Sequence, residues 1–214
     1  MKFTHRITSI THEPFSNVHI RKVLDDVMSH VMYDTNGQGT LCDPFARESF
    51  TTLLPNCITN DLNPEFKCDY NLEFKDFAHT IQERGHVLDL VFFDPPYSLT
   101  QLKKQYDGIG KDLELWQTKN MWKEGKDTLA HMMPSGSYVV SLGWNANGFG
   151  SKRGFEKTEI HLFEQQAREE QHTLFVVVER KVQRTLSEFE YQTQVQGIDE
   201  SWLDEFTQNP YGMG

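Results

Sequence analysis

The 214-residue chain has few of the features that mark secreted, metal-binding or membrane proteins. Its three cysteines form no CxxC pair and show no zinc-ligand spacing, so we expect reduced thiols and a cytoplasmic location. Its nine histidines follow no metal-binding pattern, and no metal site is predicted. No apolar run approaches the ~20 residues that cross a membrane, and no signal-type apolar segment begins the chain.

The chain also lacks an excess of positive charge, because its formal net charge is −10. Taken alone, that value argues against a nucleic-acid partner. However, residues 185–214 contain six acidic residues and no basic one, so the rest of the chain carries a net charge of −4. Because phosphate contact is local, weak and salt-sensitive binding to nucleic acid remains compatible with this distribution. Lysines gather in one segment, at positions 103, 104, 111, 119, 123 and 126.

The most informative segment is residues 87–98, which read VLDLVFFDPPYS. Its apolar part is typical of a strand buried on both faces, as in a parallel sheet. Pro95 and Pro96 have no backbone N–H, so they end the strand and hold Asp94 and Tyr97 in a stiff turn at its carboxyl end. In open α/β sheets, ligands bind at that edge.

An Asp-Pro-Pro-Tyr turn has the groups that are needed to activate a planar amine. The lone pair of such an amine, for example N6 of adenine, is delocalised into the ring. The Asp94 carboxylate and the Pro95 carbonyl can accept its two N–H groups, and both bonds strengthen as positive charge develops on the nitrogen. The ring of Tyr97 can stack on the base. The alternative is that Asp94 only caps a turn that ends a strand.

With this turn, the chain resembles the amino-methyltransferases that use S-adenosylmethionine. It is most similar to the DNA adenine-N6 branch, in particular to small adenine methylases of phages and prophages. The similar stretches lie between about residues 39 and 181 and read CDPFARES, TNDLNPEF, FFDPPYS, LGWNANGFGSKRGFEKTEI and VVVERK.

The resemblance implies S-adenosylmethionine as the cofactor and DNA as the partner, inside a bacterial or phage-infected cell. The DNA would be single-stranded, or a duplex from which the target adenine is flipped out. The fold implied is the α/β, Rossmann-like fold of the class I methyltransferases. Such a fold has a seven-stranded, mostly parallel sheet with helices on both faces and an antiparallel last strand.

Strand and helix signals alternate along the chain in the βαβ manner. Strands are predicted at residues 40–43, 57–60, 68–71, 87–93, 137–142, 159–164 and 173–179. Helices are predicted over residues 17–33, with Ser16 as the cap, from residue 49 onward, and over 76–84.

We predict one methyltransferase domain over residues 1–184. Within it, residues 99–133 form a polar, lysine-rich lid or recognition insertion, and residues 185–214 form an acidic C-terminal extension. Only about 35 residues separate the fourth and fifth strands, which is short for a recognition domain. Any sequence selectivity would therefore come from short loops.

The first cofactor contacts are expected at the end of the first predicted strand. Asp43, Pro44 and Phe45 match the first motif of the family, and free backbone N–H groups of the following helix would hold the methionine carboxylate. The family continues with glycines, whereas this chain has Ala-Arg-Glu-Ser-Phe. Without glycine, the backbone does not easily take a positive φ or approach a ligand. Arg47 can instead pair with the cofactor carboxylate, or with Glu48.

Two further carboxylates are candidates for the rest of the cofactor. Asp61 follows the second predicted strand, and a carboxylate is a good two-point acceptor for the ribose hydroxyls. Asn60 and Asn63 are its rivals. Asp76 lies where the family binds the cofactor's adenine, with Asp69 as the alternative.

Candidate substrate contacts lie in the lid and after the fifth predicted strand. The lid residues follow the catalytic turn directly, and the later group follows a strand end on the same sheet edge. These candidates are Ser98, Lys103 and Lys104, then Trp144 and Asn145 for the base pocket, and Lys152 and Arg153 for phosphate. A core position is an equally good interpretation of the tryptophan.

The sequence therefore predicts an adenine-N6 DNA methyltransferase. The same turn would also serve another planar amine, such as RNA adenine, cytosine N4 or a protein glutamine amide. A different class of function is a catalytically weak methyltransferase fold that acts as a binding module. The missing glycines after Phe45 and the negative charge favour that alternative, and the intact Asp94–Tyr97 turn opposes it.

Overall fold

The structure is a computed structural model. It describes residues 1–9, 13–114, 118, 120–165 and 173–182. The predicted acidic extension at 185–214 lies outside the described residues, as do positions 115–117 and 119 of the predicted lid. In the part of the chain that is described, no helix is long and apolar enough to cross a membrane.

One seven-stranded sheet forms the centre of the described fold. Its strands are β1 (Lys2–Thr8), β2 (Leu41–Asp43), β3 (Cys57–Thr59), β4 (Leu90–Phe93), β5 (Tyr138–Gly143), β6 (Phe155–Gln165) and β7 (Leu174–Lys181). They lie in the order β1-β6-β7-β5-β4-β2-β3. Every neighbouring pair is parallel except the two that β7 makes with β5 and β6. This arrangement confirms the predicted α/β, Rossmann-like fold, with a mostly parallel seven-stranded sheet and an antiparallel last strand.

The seven strands are not all the predicted ones. The strand predicted at 68–71 is reduced to one parallel bridge between Asn60 and Tyr70. A side chain interrupts the ladder there, because the Thr59 N–H donates to Asp69 Oδ2 at 2.8 Å. The additional strand is β1, which pairs in parallel with β6 at the sheet edge. Sequence analysis does not predict β1, because its residues are mostly exposed and pairing rather than burial holds it.

The described residues form four α-helices: α1 (Val18–Asp34), α2 (Phe74–Glu83), α3 (Leu99–Gly108) and α4 (Lys123–His131). The predicted Ser16 cap of α1 is wrong, because the Ser16 hydroxyl donates to the Glu13 carbonyl. Asn17 caps α1 instead, and its side chain accepts from the N–H groups of His19 and Ile20. An Asn side chain in this position satisfies two amides that have no partner inside the helix.

The connection after β2 differs more strongly from the prediction. A helix is predicted from residue 49, but the structure has one short 3-10 helix, Phe50–Leu53, before β3 begins at Cys57. The Ser49 side chain caps this short helix by accepting from the Thr51 N–H. The chain therefore returns to the sheet without the long helix that usually follows such a strand in a βαβ unit.

Alternate residues of β4 face two separate cores. Leu90 and Phe92 pack with α1 on one face of the sheet, and Val91 and Phe93 pack with α2 and α4 on the other. A strand buried on both faces explains the continuous apolar run. Because β4 lies between β2 and β5, its carboxyl end opens at the centre of the sheet edge.

Candidate active site

The turn after β4 holds Asp94 and Tyr97 together. The Tyr97 hydroxyl donates a short hydrogen bond to Asp94 Oδ1, and the Tyr97 N–H donates to Gln101 Oε1 at 2.8 Å. The Ser98 hydroxyl caps α3 by accepting from the Gln101 N–H at 3.1 Å. The turn is thus attached to the first turn of α3. Pro95 is buried in it, whereas Asp94 remains partly exposed.

The electrostatic surroundings of Asp94 suit a carboxylate that handles protons near neutral pH. Burial raises the pKa of Asp94 to about 6, while the Tyr97 hydrogen bond and the positive charge of Arg47 both act to lower it. The negative charge of Glu13 raises the pKa further. At neutral pH, the carboxylate is therefore mostly ionised and able to accept hydrogen bonds.

A second Asp-Pro turn follows β2, the neighbouring strand. Asp43 is fully buried, and its carboxylate accepts hydrogen bonds from the Phe45 N–H at 3.1 Å, the Thr51 hydroxyl at 2.7 Å and the Ser49 hydroxyl at 3.4 Å. Burial raises its pKa to about 7. The side chain connects the turn to the short 3-10 helix and does not line the cleft between the two turns.

A cleft opens between the two turns at the carboxyl edge of the sheet. Pro44 and Phe45 line it from the turn after β2, and Pro96 lines it from the turn after β4. Asp61 and Glu73 supply carboxylates to its wall. The cleft therefore combines apolar surfaces with a small number of acceptors, as small-molecule sites generally do.

Asp61 is the acceptor that the end of β3 presents to the cleft. Its Oδ1 accepts from the Asn63 N–H at 2.9 Å, and burial raises its pKa above the usual value for an aspartate. The rival Asn60 is occupied within the fold, since its amide donates to the Pro44 and Leu72 carbonyls and accepts from the Leu72 N–H. Of these residues, Asp61 best fits the position expected for the ribose acceptor.

Neither of the other two predicted carboxylates, Asp76 and its alternative Asp69, lines the cleft, whereas Glu73 does. Asp76 is exposed in the first turn of α2 and does not line the cleft. Asp69 is turned toward Thr59. Glu73, which sequence analysis misses, lines the cleft and accepts from the Tyr106 hydroxyl and from Lys111 Nζ at 3.3 Å. Helix α2 begins at Phe74 rather than at residue 76, so the residue just before it faces the cleft.

The predicted lid supplies an aromatic wall of the cleft. The Trp122 ring meets Phe45 and Phe74 edge-on, with centroid distances of 5.2 and 5.8 Å. Leu102 and Tyr106 of α3 also line the cleft. Sequence analysis misses Trp122, because nothing near it in the chain indicates that its ring reaches the turn after β2.

Trp144 lies beside the Asp94–Tyr97 turn. Its ring centroid is 6.1 Å from that of Tyr97, with an angle of 56° between the planes. Asn145, in the same loop after β5, accepts from the Asn147 N–H at 3.0 Å and so stabilises the loop itself. The structure thus brings the tryptophan, but not the amide, into contact with the Asp94–Tyr97 turn.

A buried carboxylate anchors the far end of this loop. Glu179 on β7 is fully buried and accepts from the N–H groups of Phe149 at 2.5 Å and Gly150 at 3.0 Å. Lys126 of α4 donates to the Gly148 carbonyl at 2.9 Å. These contacts hold the loop from two sides and explain how it keeps a fixed place beside Tyr97.

The predicted phosphate contacts are in different surroundings. Lys103 and Lys104 are exposed on α3, and Lys152 is exposed after β5. Arg153 is instead engaged with α4, since its Nε donates to Asp127 Oδ1 at 2.7 Å. The three lysines are therefore open to solvent, whereas Arg153 is engaged in an ion pair within the fold. Within the described ranges, no group of three His, Cys, Asp or Glu side chains is arranged to hold a metal ion.

Comparisons with known proteins find solved structures of similar fold but no match by sequence. No protein-family model matches the chain, and no curated protein sequence matches it. Among solved structures, TrmN from Thermus thermophilus is similar with a TM-score of 0.44 and 13% identity over 72% of this chain and 48% of that chain. This chain thus spans about half the length of TrmN. The N-methyltransferase NodS from Bradyrhizobium japonicum, in complex with S-adenosyl-L-homocysteine, has a TM-score of 0.42 and 11% identity over 81% of this chain and 94% of that chain.

Proposed function

We propose that this chain transfers a methyl group from S-adenosylmethionine to the N6 amine of adenine in DNA. The observation that carries the proposal is the position of the Asp94–Tyr97 turn at the edge of the cleft. Pro96, in the middle of that turn, is itself part of the cleft wall. Asp94 lies two residues before Pro96, so a ligand in the cleft would lie beside the turn that carries this carboxylate.

The residues of the cleft fit the proposed cofactor. Asp61 can accept hydrogen bonds from the two ribose hydroxyls, and the rings of Phe45 and Trp122 offer apolar surface to a purine. When bound, S-adenosylmethionine supplies an electrophilic methyl group on a positively charged sulfur.

The residues of the turn hold and activate the amine. The Asp94 carboxylate accepts one N–H and the Pro95 carbonyl accepts the other, which draws the nitrogen toward tetrahedral geometry and frees its lone pair. The Tyr97 hydroxyl binds Asp94 Oδ1, and the second carboxylate oxygen is the acceptor for the substrate. With a pKa of about 6, Asp94 can also take up the proton that the amine loses after methylation.

The base and the phosphates would meet different parts of the same edge. Tyr97 and Trp144 form an aromatic surface against which a flipped adenine can stack. Lys103, Lys104 and Lys152 are exposed and can contact the DNA backbone. With so few cations against a negative overall charge, we expect weak and salt-sensitive binding to DNA.

The direct test is to incubate unmethylated DNA with the protein and S-adenosylmethionine, digest it to nucleosides and look for N6-methyladenine by mass spectrometry. Wild-type protein and an Asp26→Ala control, altered on the exposed face of α1, should give the product. Asp94→Ala should give none. Product from Asp94→Ala at the wild-type level would remove Asp94 from the mechanism.

Parallel assays on RNA, on cytosine and on protein glutamine show which acceptor is methylated, independently of whether methyl transfer occurs. Methylation of one of these instead of DNA would keep the methyl transfer and overturn the DNA adenine assignment. Calorimetry with S-adenosylhomocysteine tests the cofactor itself. If millimolar ligand produced no heat, the proposed reaction would fail and a binding module would be favoured.

A further inference from the structure

Several backbone amides of the turn after β2 already have partners within the chain. The family resemblance implies that backbone N–H groups at a helix start hold this carboxylate. Here, only the short 3-10 helix Phe50–Leu53 follows β2. The Ser49 side chain accepts from the Thr51 N–H, and Asp43 accepts from the Phe45 N–H. These amides already have partners within the chain, and a charged side-chain donor beside them would strengthen the binding of a carboxylate ligand.

Arg47 lies within this turn and has an unusual backbone conformation. Its φ is +50°, in the left-handed region that residues with a Cβ rarely adopt. The turn is closed on both sides, because the Ala46 N–H donates to the Asn60 carbonyl and the Ser49 N–H donates to the Ala46 carbonyl, both at 2.9 Å. The Cys68 thiol contacts the Arg47 carbonyl at 3.7 Å. The surrounding fold therefore imposes a shape that presents Arg47 where the family has glycine.

Arg47 is half-buried, and its charge acts on carboxylates at both strand ends that border the cleft. Its positive charge lowers the pKa values of Asp61, at the end of β3, and of Asp94 and Tyr97, at the end of β4. The backbone of Arg47 is also hydrogen-bonded to the Asp61 carboxylate. Because the Arg47 charge acts on both strand ends, we place its guanidinium in the region between them. This region lies on the path between Asp61, the proposed ribose acceptor, and Asp94, the proposed amine acceptor.

The charges near this path favour a cation beside an anionic ligand group. Asp43, Asp61 and Asp94 are all at this edge, and the negative charge of Glu13 also acts on Asp94. A carboxylate that entered among them without a positive partner would be repelled, most strongly where water is excluded. A guanidinium is well suited to bind a carboxylate, because it offers two parallel N–H donors.

We infer that Arg47 binds the carboxylate of the cofactor's methionine part and so makes the site select ligands that carry an amino-acid group. The inference rests on the proposed function, since it needs S-adenosylmethionine in the cleft. In this arrangement, an arginine side chain replaces the helix N-terminus. The segment after Phe45, which lacks the glycines of the family pattern, thereby supplies an arginine that binds the cofactor.

Calorimetry with two ligands tests this role. S-Adenosylhomocysteine and 5′-methylthioadenosine share the adenosine and the thioether sulfur, but only the first has the carboxylate. Wild-type protein should bind S-adenosylhomocysteine at least about tenfold more tightly, as expected for a charge-assisted hydrogen bond. Arg47→Gln should remove this preference by weakening S-adenosylhomocysteine about tenfold, while the affinity for 5′-methylthioadenosine stays within about twofold.

Two further variants control for folding and for net charge. Arg47→Gly has no side chain and accepts the left-handed backbone, so it should keep the thermal stability of the wild type and lose the same preference. Lys22→Gln removes one positive charge from the exposed side of α1 and should change neither affinity.

Three outcomes of these titrations would contradict the inference. A full preference for S-adenosylhomocysteine in both Arg47 variants would overturn the inference and leave the proposed function standing. An equal loss of both ligands would show that Arg47 only maintains the turn, which also overturns the inference. If wild-type protein bound neither ligand, the proposed function would fail together with it.

Discussion

Two Asp-Pro turns follow neighbouring parallel strands of this sheet, and their aspartates have opposite surroundings. Asp43, after β2, is fully buried and accepts hydrogen bonds from Phe45, Ser49 and Thr51. Asp94, after β4, is partly exposed and accepts from a single hydroxyl of the turn itself. Burial raises both pKa values, to about 7 for Asp43 and about 6 for Asp94.

The difference comes from the residues that follow each dipeptide. After Asp43, two hydroxyl side chains fold back onto the carboxylate and satisfy it internally. After Asp94, a second proline prevents the next residue from donating a backbone N–H, and Tyr97 reaches only one oxygen. A carboxylate with several internal donors stabilises its own turn, whereas one with a single donor keeps capacity for a ligand. The same dipeptide therefore serves structure at one strand end and, as we propose, chemistry at the next.

The largest expected effect is on catalysis at the turn after β4. Asp94→Ala removes an acceptor that strengthens in the transition state, so methyl transfer should fall by about 100- to 1,000-fold or more. The free energy of unfolding should change by less than about 1 kcal/mol, because the carboxyl group has one hydrogen-bond donor at the edge of the cleft. Single-turnover rates and urea unfolding measure the two quantities. A large loss of stability with the rate unchanged would reverse the roles of the two aspartates.

The corresponding change after β2 should act on stability. Asp43→Ala leaves the Thr51 hydroxyl and the Phe45 N–H without their buried acceptor, so the free energy of unfolding should fall by about 2–4 kcal/mol. Urea unfolding at fixed pH measures this loss. If the variant were as stable as the wild type, the internal hydrogen bonds of Asp43 would not be important for the fold.

The same aspartate should make stability depend on pH. Because burial raises the pKa of Asp43 to about 7 in the folded state, folding favours its protonated form. Its contribution to stability is fully present below about pH 4, the pKa of an unfolded aspartate, and is lost as the pH rises to about 7. Asp43→Asn should therefore show a smaller decrease in the free energy of unfolding between pH 4.5 and 7.5. Equal decreases in both proteins would contradict this assignment.

An intermediate effect is expected at the carboxylate that faces the cleft. Asp61→Ala should weaken S-adenosylhomocysteine by about 10- to 100-fold, because two hydrogen bonds from the ribose to a charged group are lost. Since Asp61 accepts only locally, from the Asn63 N–H and the Arg47 backbone, the melting temperature should change little. Calorimetry and thermal unfolding provide the comparison with Asp43→Ala. Unchanged affinity would exclude Asp61 from the cofactor site.

The smallest effect is a shift in a pH profile. Asp94 must be ionised to accept the amine, so kcat/KM should rise with pH through a midpoint near 6. The Tyr97 hydroxyl lowers the pKa of Asp94, and Tyr97→Phe should therefore move the midpoint upward while the ring still stacks on the base. A midpoint that moved downward, or not at all, would show that the hydroxyl does not lower the pKa of Asp94.

The predictions that the structure bears out depend on local patterns. The continuous apolar run predicts β4, although the strand starts at Leu90 rather than at residue 87. The apolar stripe predicts α1 to within a residue at each end. Both elements are determined by short-range periodicity and burial, which are visible in the sequence itself. The proline pair predicts the turn after β4 in the same way.

The predictions that differ from the structure involve contacts between distant segments. Asp69 interrupts the pairing of β3 by binding Thr59, which reduces the strand predicted at 68–71 to one bridge. Trp122 reaches Phe45 across 77 positions of sequence, and the start of α2 places Glu73 rather than Asp76 at the cleft. No periodicity indicates such contacts, because they depend on how separate elements pack.

By itself, the sequence determined the alternation of elements, the central strand β4 and the rigid Asp-Pro-Pro-Tyr corner at its end. These features follow from local sterics and from the hydrophobicity of each side chain. The tertiary structure alone decided that Asp43 is enclosed and Asp94 accessible, and that Arg47 adopts a left-handed backbone between two strand ends. The physical reason is that burial, charge and backbone strain at a site depend on the residues that surround it in space.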